Sequence, residues 1–150
     1  MSTRSYIAIE KKDKSIERIY CHWDGYLEYN GRILNDYYKD INKIRKLINL
    51  GDISSLNEEV EPTGEHSFEN PQERVTVAYG RDRGEENTKK QVFKNYEEFI
   101  NGLENTWCEY LYLFKESENK WYYSEIPYTN YREIVLKDLS LSLSNLPIEN

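Results

Sequence analysis

Ile16-Glu17-Arg18-Ile19-Tyr20-Cys21-His22-Trp23-Asp24-Gly25 is the stretch that decides the fold class of this chain. Ile19, Cys21 and Trp23 fall on one face and Arg18, Tyr20 and His22 on the other, which is the period of a half-buried strand. Residues 5–12 alternate in the same way, and Lys12-Asp13-Lys14-Ser15 has the composition of a turn, so 5–12 and 16–24 read as a hairpin. This pattern puts Cys21 in the core and His22 on the opposite face, which disfavours a Cys-His dyad. Beyond Gly25 the apolar period changes. Ile33, Leu34, Tyr37 and Tyr38 form one helical stripe over 31–38. Ile41, Ile44, Leu47 and Ile48 form a second over 41–50, with Asp40 as N-cap and Gly51 as terminator.

Working outward, residues 52–73 hold Pro62, Gly64 and Pro71, show no sustained period and read as a long acidic loop. Residues 74–79 predict a short strand that runs into a Gly80–Gly84 loop, placing Arg81 and Arg83 at a strand end. Tyr96, Phe99, Ile100 and Leu103 predict an amphipathic helix over 95–104 with Asn95 as its cap. Residues 109–115 and 120–126 alternate around Glu116-Ser117-Glu118-Asn119, a second hairpin. From residue 128 the chain reads as helical, and from Leu139 the Leu-Ser alternation suits strand and helix equally. With no internal repeat, this order predicts one α+β domain over 1–150, its mixed and mainly antiparallel sheet covered by helices.

At 150 residues the chain can bury roughly two thirds of its unfolded surface. Fourteen of the residues are Tyr, so much of the core must be built from rings whose hydroxyls need partners. That much Tyr on alternating strand faces exceeds what one small core can cover, which predicts a homo-oligomer. The net charge of −7 argues against direct binding to nucleic acid. Its distribution is local: residues 52–73 carry seven acids and no Lys or Arg. Two Cys far apart give no disulfide framework. No run approaches the ~20 apolar residues of a membrane span, and the start lacks a signal-peptide core, so a cytoplasmic protein is expected.

Chemistry concentrates in two places. In Tyr20–Tyr26, His22 could act as a general base oriented by Asp24, or stack on a ligand ring with Trp23 and Tyr26. Asp24-Gly25 marks a turn with Gly at positive φ, and Asn30-Gly31 repeats the device, so backbone N–H groups there could cradle an anion. Arg81 and Arg83, with Arg4 as a third candidate, could clamp phosphate or carboxylate through bidentate bonds, although Asp82 and Glu85 sit among them. His22, Trp23, Asp24 and Tyr26 are predicted to line one concavity with Arg81 and Arg83. His22, His66, Cys21 and Asp24 lack metal-ligand spacing, no nucleotide glycine fingerprint is present, and no cofactor is expected. Loss of Met1 would leave Ser2 as a conceivable N-terminal nucleophile.

Thr3-Arg4-Ser5, the 19–26 string, Leu50-Gly51-Asp52-Ile53-Ser54-Ser55-Leu56, His66-Ser67-Phe68 and Tyr79-Gly80-Arg81-Asp82-Arg83-Gly84-Glu85 resemble a family of small uncharacterised bacteriophage and prophage proteins, over about the first 85 residues. The family brings no assigned activity. It often has Pro after the Gly-Tyr, where Leu27-Glu28 stands here, so a different loop geometry is expected. The resemblance implies a phage accessory protein acting against host defence in the bacterial cytoplasm, an implication by analogy. The main expectation is a non-catalytic binder that sequesters a small anionic, nucleotide-like ligand. The alternative is an acidic inhibitor mimicking nucleic acid and docking on a host defence protein of anti-CRISPR or anti-restriction type through Asp52, Glu58, Glu59, Glu61 and Glu65. A small hydrolase using Ser2, His22 and Asp24 is the third.

Overall fold

The computed structural model describes residues 2–146. Strands β1 (Ser5–Glu10) and β2 (Ile16–Cys21) form the expected hairpin, paired from Ser5↔Cys21 to Glu10↔Ile16. Both strands are shorter than their alternation. At the turn, Asp13 accepts the Ser15 N–H at 2.9 Å and its hydroxyl at 2.6 Å, and Lys14 takes φ 76°. At the far end Asp24 takes φ 56°, and the chain leaves the sheet after the His22 and Trp23 N–H groups bond Ile53 O and Ser54 O. The left-handed residue of this turn is therefore Asp24. Gly25 serves close approach instead: a Cβ there would stand 2.7 Å from Ser5 Cβ and 2.9 Å from the Thr3 carbonyl oxygen.

β1 also pairs in parallel with β6 (Tyr110–Lys115), which forms the second expected hairpin with β7 (Lys120–Glu125). Outside them lie β3 (Ile53–Ser55), β4 (Val77–Ala78) and β8 (Lys137–Asp138), giving the order β4-β3-β2-β1-β6-β7-β8. β5 (Gln91–Phe93) pairs with residues 16–18 of β2, while β3 meets β2 only at Cys21. Between these two partners the Asp52 carboxylate accepts the Tyr20 N–H at 3.0 Å, completing the edge.

The result is α+β, as expected. On one face of the sheet Ile7, Ile9, Ile19, Cys21, Tyr112, Phe114 and Trp121 pack against Leu34, Ile44, Leu47, Ile48 and Leu143. These come from α1 (Arg32–Tyr37), α2 (Ile41–Asn49) and α5 (Leu139–Ser144). On the other face Ala8, Ile16, Leu111 and Leu113 meet Phe99, Ile100 and Leu103 around α4 (Tyr96–Asn101). Asp40, Asn95 and Asp138 cap α2, α4 and α5 by accepting N–H groups at 2.7, 2.9 and 3.0 Å. The buried ring hydroxyls and indole find carbonyl partners: Tyr112 donates to Gly25 O at 2.7 Å, Tyr38 to Asn57 O at 2.8 Å and Trp121 Nε1 to Tyr38 O at 2.8 Å.

Further sequence expectations are corrected. Within 74–79 only Val77–Ala78 is strand, and the expected Gly80–Gly84 loop is a short helix, α3 (Tyr79–Arg83), ended by Gly84 at φ 70°. Residues 52–73 contain β3 rather than loop alone. After 128 there is a single 3₁₀ turn at Tyr131–Glu133, then β8 and α5, which resolves the Leu-Ser alternation as helix. Asn30-Gly31 is no open cradle: it ends a π-helical turn, Leu27–Gly31, and Asn30 is fully buried, donating to Ser5 Oγ and Cys21 Sγ. What was read for residues 147–150 lies outside the described residues.

The contact at Gly25 yields a direct test. Gly25→Ala forces a methyl against Ser5 and the Thr3 backbone and should destabilise the fold by about 1–3 kcal/mol in urea unfolding. An unchanged midpoint would mean that the two segments do not approach as closely as described.

Candidate functional site

Register decides which polar side chains share a surface. Extending the β1–β2 pairing one step past Ser5↔Cys21 sets Arg4 opposite His22, on the face that also carries the Tyr6↔Tyr20 pair. Extending β2–β3 past Cys21↔Ile53 sets His22 beside Ser54, and Tyr79 lies against Ser54. The Arg83 guanidinium caps the Tyr79 ring at 5.1 Å and the Phe68 ring at 4.4 Å. A row from Arg4 through His22, Ser54 and Tyr79 to Arg83 thus crosses the end of the sheet, with α4 covering the other part of that face.

His22 is held by a neighbour that its sequence context did not single out. Its Nδ1 lies 2.7 Å from the Tyr20 hydroxyl, and the Trp23 ring stands perpendicular to it at 4.6 Å between centroids. Partial burial, with the Arg4 charge nearby, lowers the His22 pKa below its ordinary value. The Tyr20 hydroxyl is pushed up to about 12, mainly by burial. Asp24 does not orient the imidazole, because its left-handed backbone turns the chain away. Trp23, expected on the core face, is 44% exposed for the same reason. Tyr26 leaves the row as well, its ring lying 6.3 Å from Tyr29 on the helical side.

Arg4 differs from the other arginines of this region. Like Arg18 it forms no ion pair among the described residues and has a buried Nε without a hydrogen-bond partner, but unlike Arg18 it makes no hydrogen bond through the rest of its guanidinium. Arg18, stacked on Tyr6 at 3.8 Å and bonded to Gln91 and Gly102 O, ties β5 and α4 to the sheet. Arg83 is shared with Glu85. Arg81 is committed elsewhere: it donates to Val60 O at 2.6 Å, to Thr76 O at 2.7 Å and to the Asp82 carboxylate at 2.8 Å. The structure therefore brings Arg4, His22 and Arg83 to one surface and turns Arg81 to the loop.

That loop is pinned rather than free. Asp82 accepts the Ala78 N–H at 2.8 Å and His66 Nε2 at 2.9 Å, while His66 Nδ1 accepts the Gln72 N–H at 2.9 Å. Burial alone would raise the Asp82 pKa, but Arg81, the Ala78 N–H and His66 outweigh it and hold the carboxyl below its usual range. Glu59, Glu61 and Glu65 project outward, whereas Glu58 pairs with Arg74 at 2.9 Å and Asp52 is spent on the Tyr20 N–H. Cys21 and Cys108 are buried, and burial pushes each thiol up to about 11, which leaves them unreactive. Among the described residues no group of three or more His, Cys, Asp and Glu side chains could hold a metal ion. Likewise among them, no helix is long and apolar enough to cross a membrane. Two hollows, about 490 Å³ along Tyr96, Ile100 and Arg132 and about 750 Å³ between Leu50, Gly80 and Lys89, lie outside the row.

Comparison with models of protein families, with curated proteins and with solved structures finds no match.

Two outcomes follow from these contacts. Asp82→Ala takes the carboxylate from Arg81 and leaves the His66 Nε2–H and the Ala78 N–H without an acceptor, and should cost about 3–5 kcal/mol in urea unfolding. A loss below about 1 kcal/mol would show that the loop is held by other means. For His22, the folded pKa lies below the ordinary 6.5, so on acidification the unfolded chain takes up the proton first. Its contribution is complete above that ordinary value and declines as pH falls toward the folded value. His22→Gln should therefore lose less stability than the parent between neutral pH and pH of about 5. Equal losses would remove His22 as a source of acid sensitivity.

Proposed function

We propose that this protein acts by binding, without catalysis, a small anionic ligand carrying a flat ring, of nucleotide type. The carrying observation is Arg4, a guanidinium with no carboxylate partner among the described residues, set opposite His22 at a sheet end where aromatic side chains remain open. Trp23 is 44% exposed beside His22, and Trp107, two residues before the Glu109 whose N–H bonds Arg4 O, is 81% exposed. An exposed indole offers a base a stacking face, and an unpaired guanidinium offers phosphate two parallel bonds. Sequestration of a nucleotide-derived signal is the role this chemistry supports, in keeping with the resemblance to phage accessory proteins. Non-covalent binding fits the site better than hydrolysis, since His22 is oriented by a hydroxyl and Asp24 is turned away from it.

A second reading has one observation in its favour. The pinned loop presents Glu61, Glu65, Glu69 and Glu73 outward on a fixed backbone, a form of display suited to an inhibitor that imitates nucleic-acid phosphate.

Calorimetry and native mass spectrometry against cyclic nucleotides and other nucleotide-derived signals separate the two. A ligand recovered unchanged, bound about tenfold to a hundredfold more weakly by Arg4→Gln, is the expected outcome. Indifference of binding to Arg4→Gln would refute the site. Capture of a basic host protein, abolished by reversing Glu61 and Glu65, with no nucleotide bound, would transfer the function to the loop.

A further inference from the structure

We infer that Tyr20 is a positioning residue that holds His22 in one neutral tautomer, Nδ1 bare and Nε2–H outward, so that the row accepts only a group with hydrogen-bond acceptors, an oxyanion. This rests on the ligand reading above and sharpens it. The Tyr20 hydroxyl and His22 Nδ1 are 2.7 Å apart, and among the described residues neither atom has another hydrogen-bond partner. Either could be the donor. If the imidazole donated, the hydroxyl proton would be left without an acceptor in a half-buried position; if the hydroxyl donates, both groups are satisfied. The proton of the neutral ring then sits on Nε2.

Charge points the same way. Arg4 stands opposite His22 on the neighbouring strand, and a second full positive charge on the ring would be opposed by it. Trp23 packs perpendicular to the ring at 4.6 Å, and the Tyr20 bond fixes its rotation. What remains is a fixed N–H donor next to a guanidinium, which is all donors. A phosphate or carboxylate oxygen matches both. A ligand amine or amide N–H presented at that point would meet donors only and be rejected.

Nitrogen-15 NMR of the imidazoles tests this without any ligand. Wild-type His22 should show a protonated Nε2 and an unprotonated Nδ1, and Tyr20→Phe should populate the other tautomer. His66, whose Nδ1 accepts the Gln72 N–H, should keep its own pattern in both proteins and so reports that the variant remains folded. A wild-type His22 carrying its proton on Nδ1, or a tautomer unaffected by Tyr20→Phe, overturns the inference and leaves the binding proposal standing. The second measurement adds inorganic phosphate or uncharged adenosine as probes. Phosphate should move the Nε2 resonance and adenosine should leave it in place. If calorimetry shows Arg4-dependent nucleotide binding while phosphate does not move Nε2, the oxyanion contact is wrong but the site is right. If nothing in the nucleotide panel binds, the site reading falls and takes this inference with it.

Discussion

The pairing of β1 along both of its edges is the constraint on which the other layers depend. It is bonded to β2 antiparallel and to β6 parallel over the same six residues. The β1–β6 pair joins segments about a hundred residues apart, so forming it closes a loop containing most of the chain. That closure is unfavourable in entropy and is offset by burial on both faces, with Ile7 and Ile9 under the α1, α2 and α5 layer and Ala8 under α4. The same register carries Arg4 to His22, so the candidate site is a by-product of core pairing.

Around this strand the structure repeatedly satisfies backbone groups with side chains where regular pairing runs out. Asp52 fills the gap between β5 and β3 on the edge of β2, Tyr112 takes the carbonyl of Gly25, and Tyr38 takes that of Asn57. The His66–Asp82–Arg81 cluster does the same for the acidic segment, which has almost no strand of its own. A high Tyr content is therefore compatible with a dry core, because each buried hydroxyl closes a carbonyl that a shorter residue would leave open. Acids and bases that looked equivalent along the chain are divided by this need. Arg81, Asp52 and Asp82 hold the backbone, while the Arg4 and His22 side chains bond no backbone group among the described residues.

Such a division separates two arginines that look equivalent in loop composition. Arg81 and Arg83 are two residues apart, but a single helical turn, α3, directs one to Val60 O and Thr76 O and the other over Tyr79 and Phe68. Tyr20, which orients His22, carried no motif. Its only signal in the sequence was alternation, which puts residues 20 and 22 on one face of one strand.

From residue order alone one can read the two hairpins, the amphipathic stripes of α2 and α4, their caps at Asp40 and Asn95, and the separation of Cys21 from His22, because each is set by period, or by side chains within four residues. Strand partners are another matter. Alternation is the same for a parallel and an antiparallel neighbour, so nothing local to Ser5–Glu10 says that Tyr110–Lys115 runs beside it. Strands of two or three residues, such as β3, β4 and β8, are too short to show a period, and exist because an edge was available to pair with them. The row from Arg4 to Arg83 depends on those non-local pairings. Its members are spread from residue 4 to residue 83, and only the free energy of closing the sheet brings them to one surface.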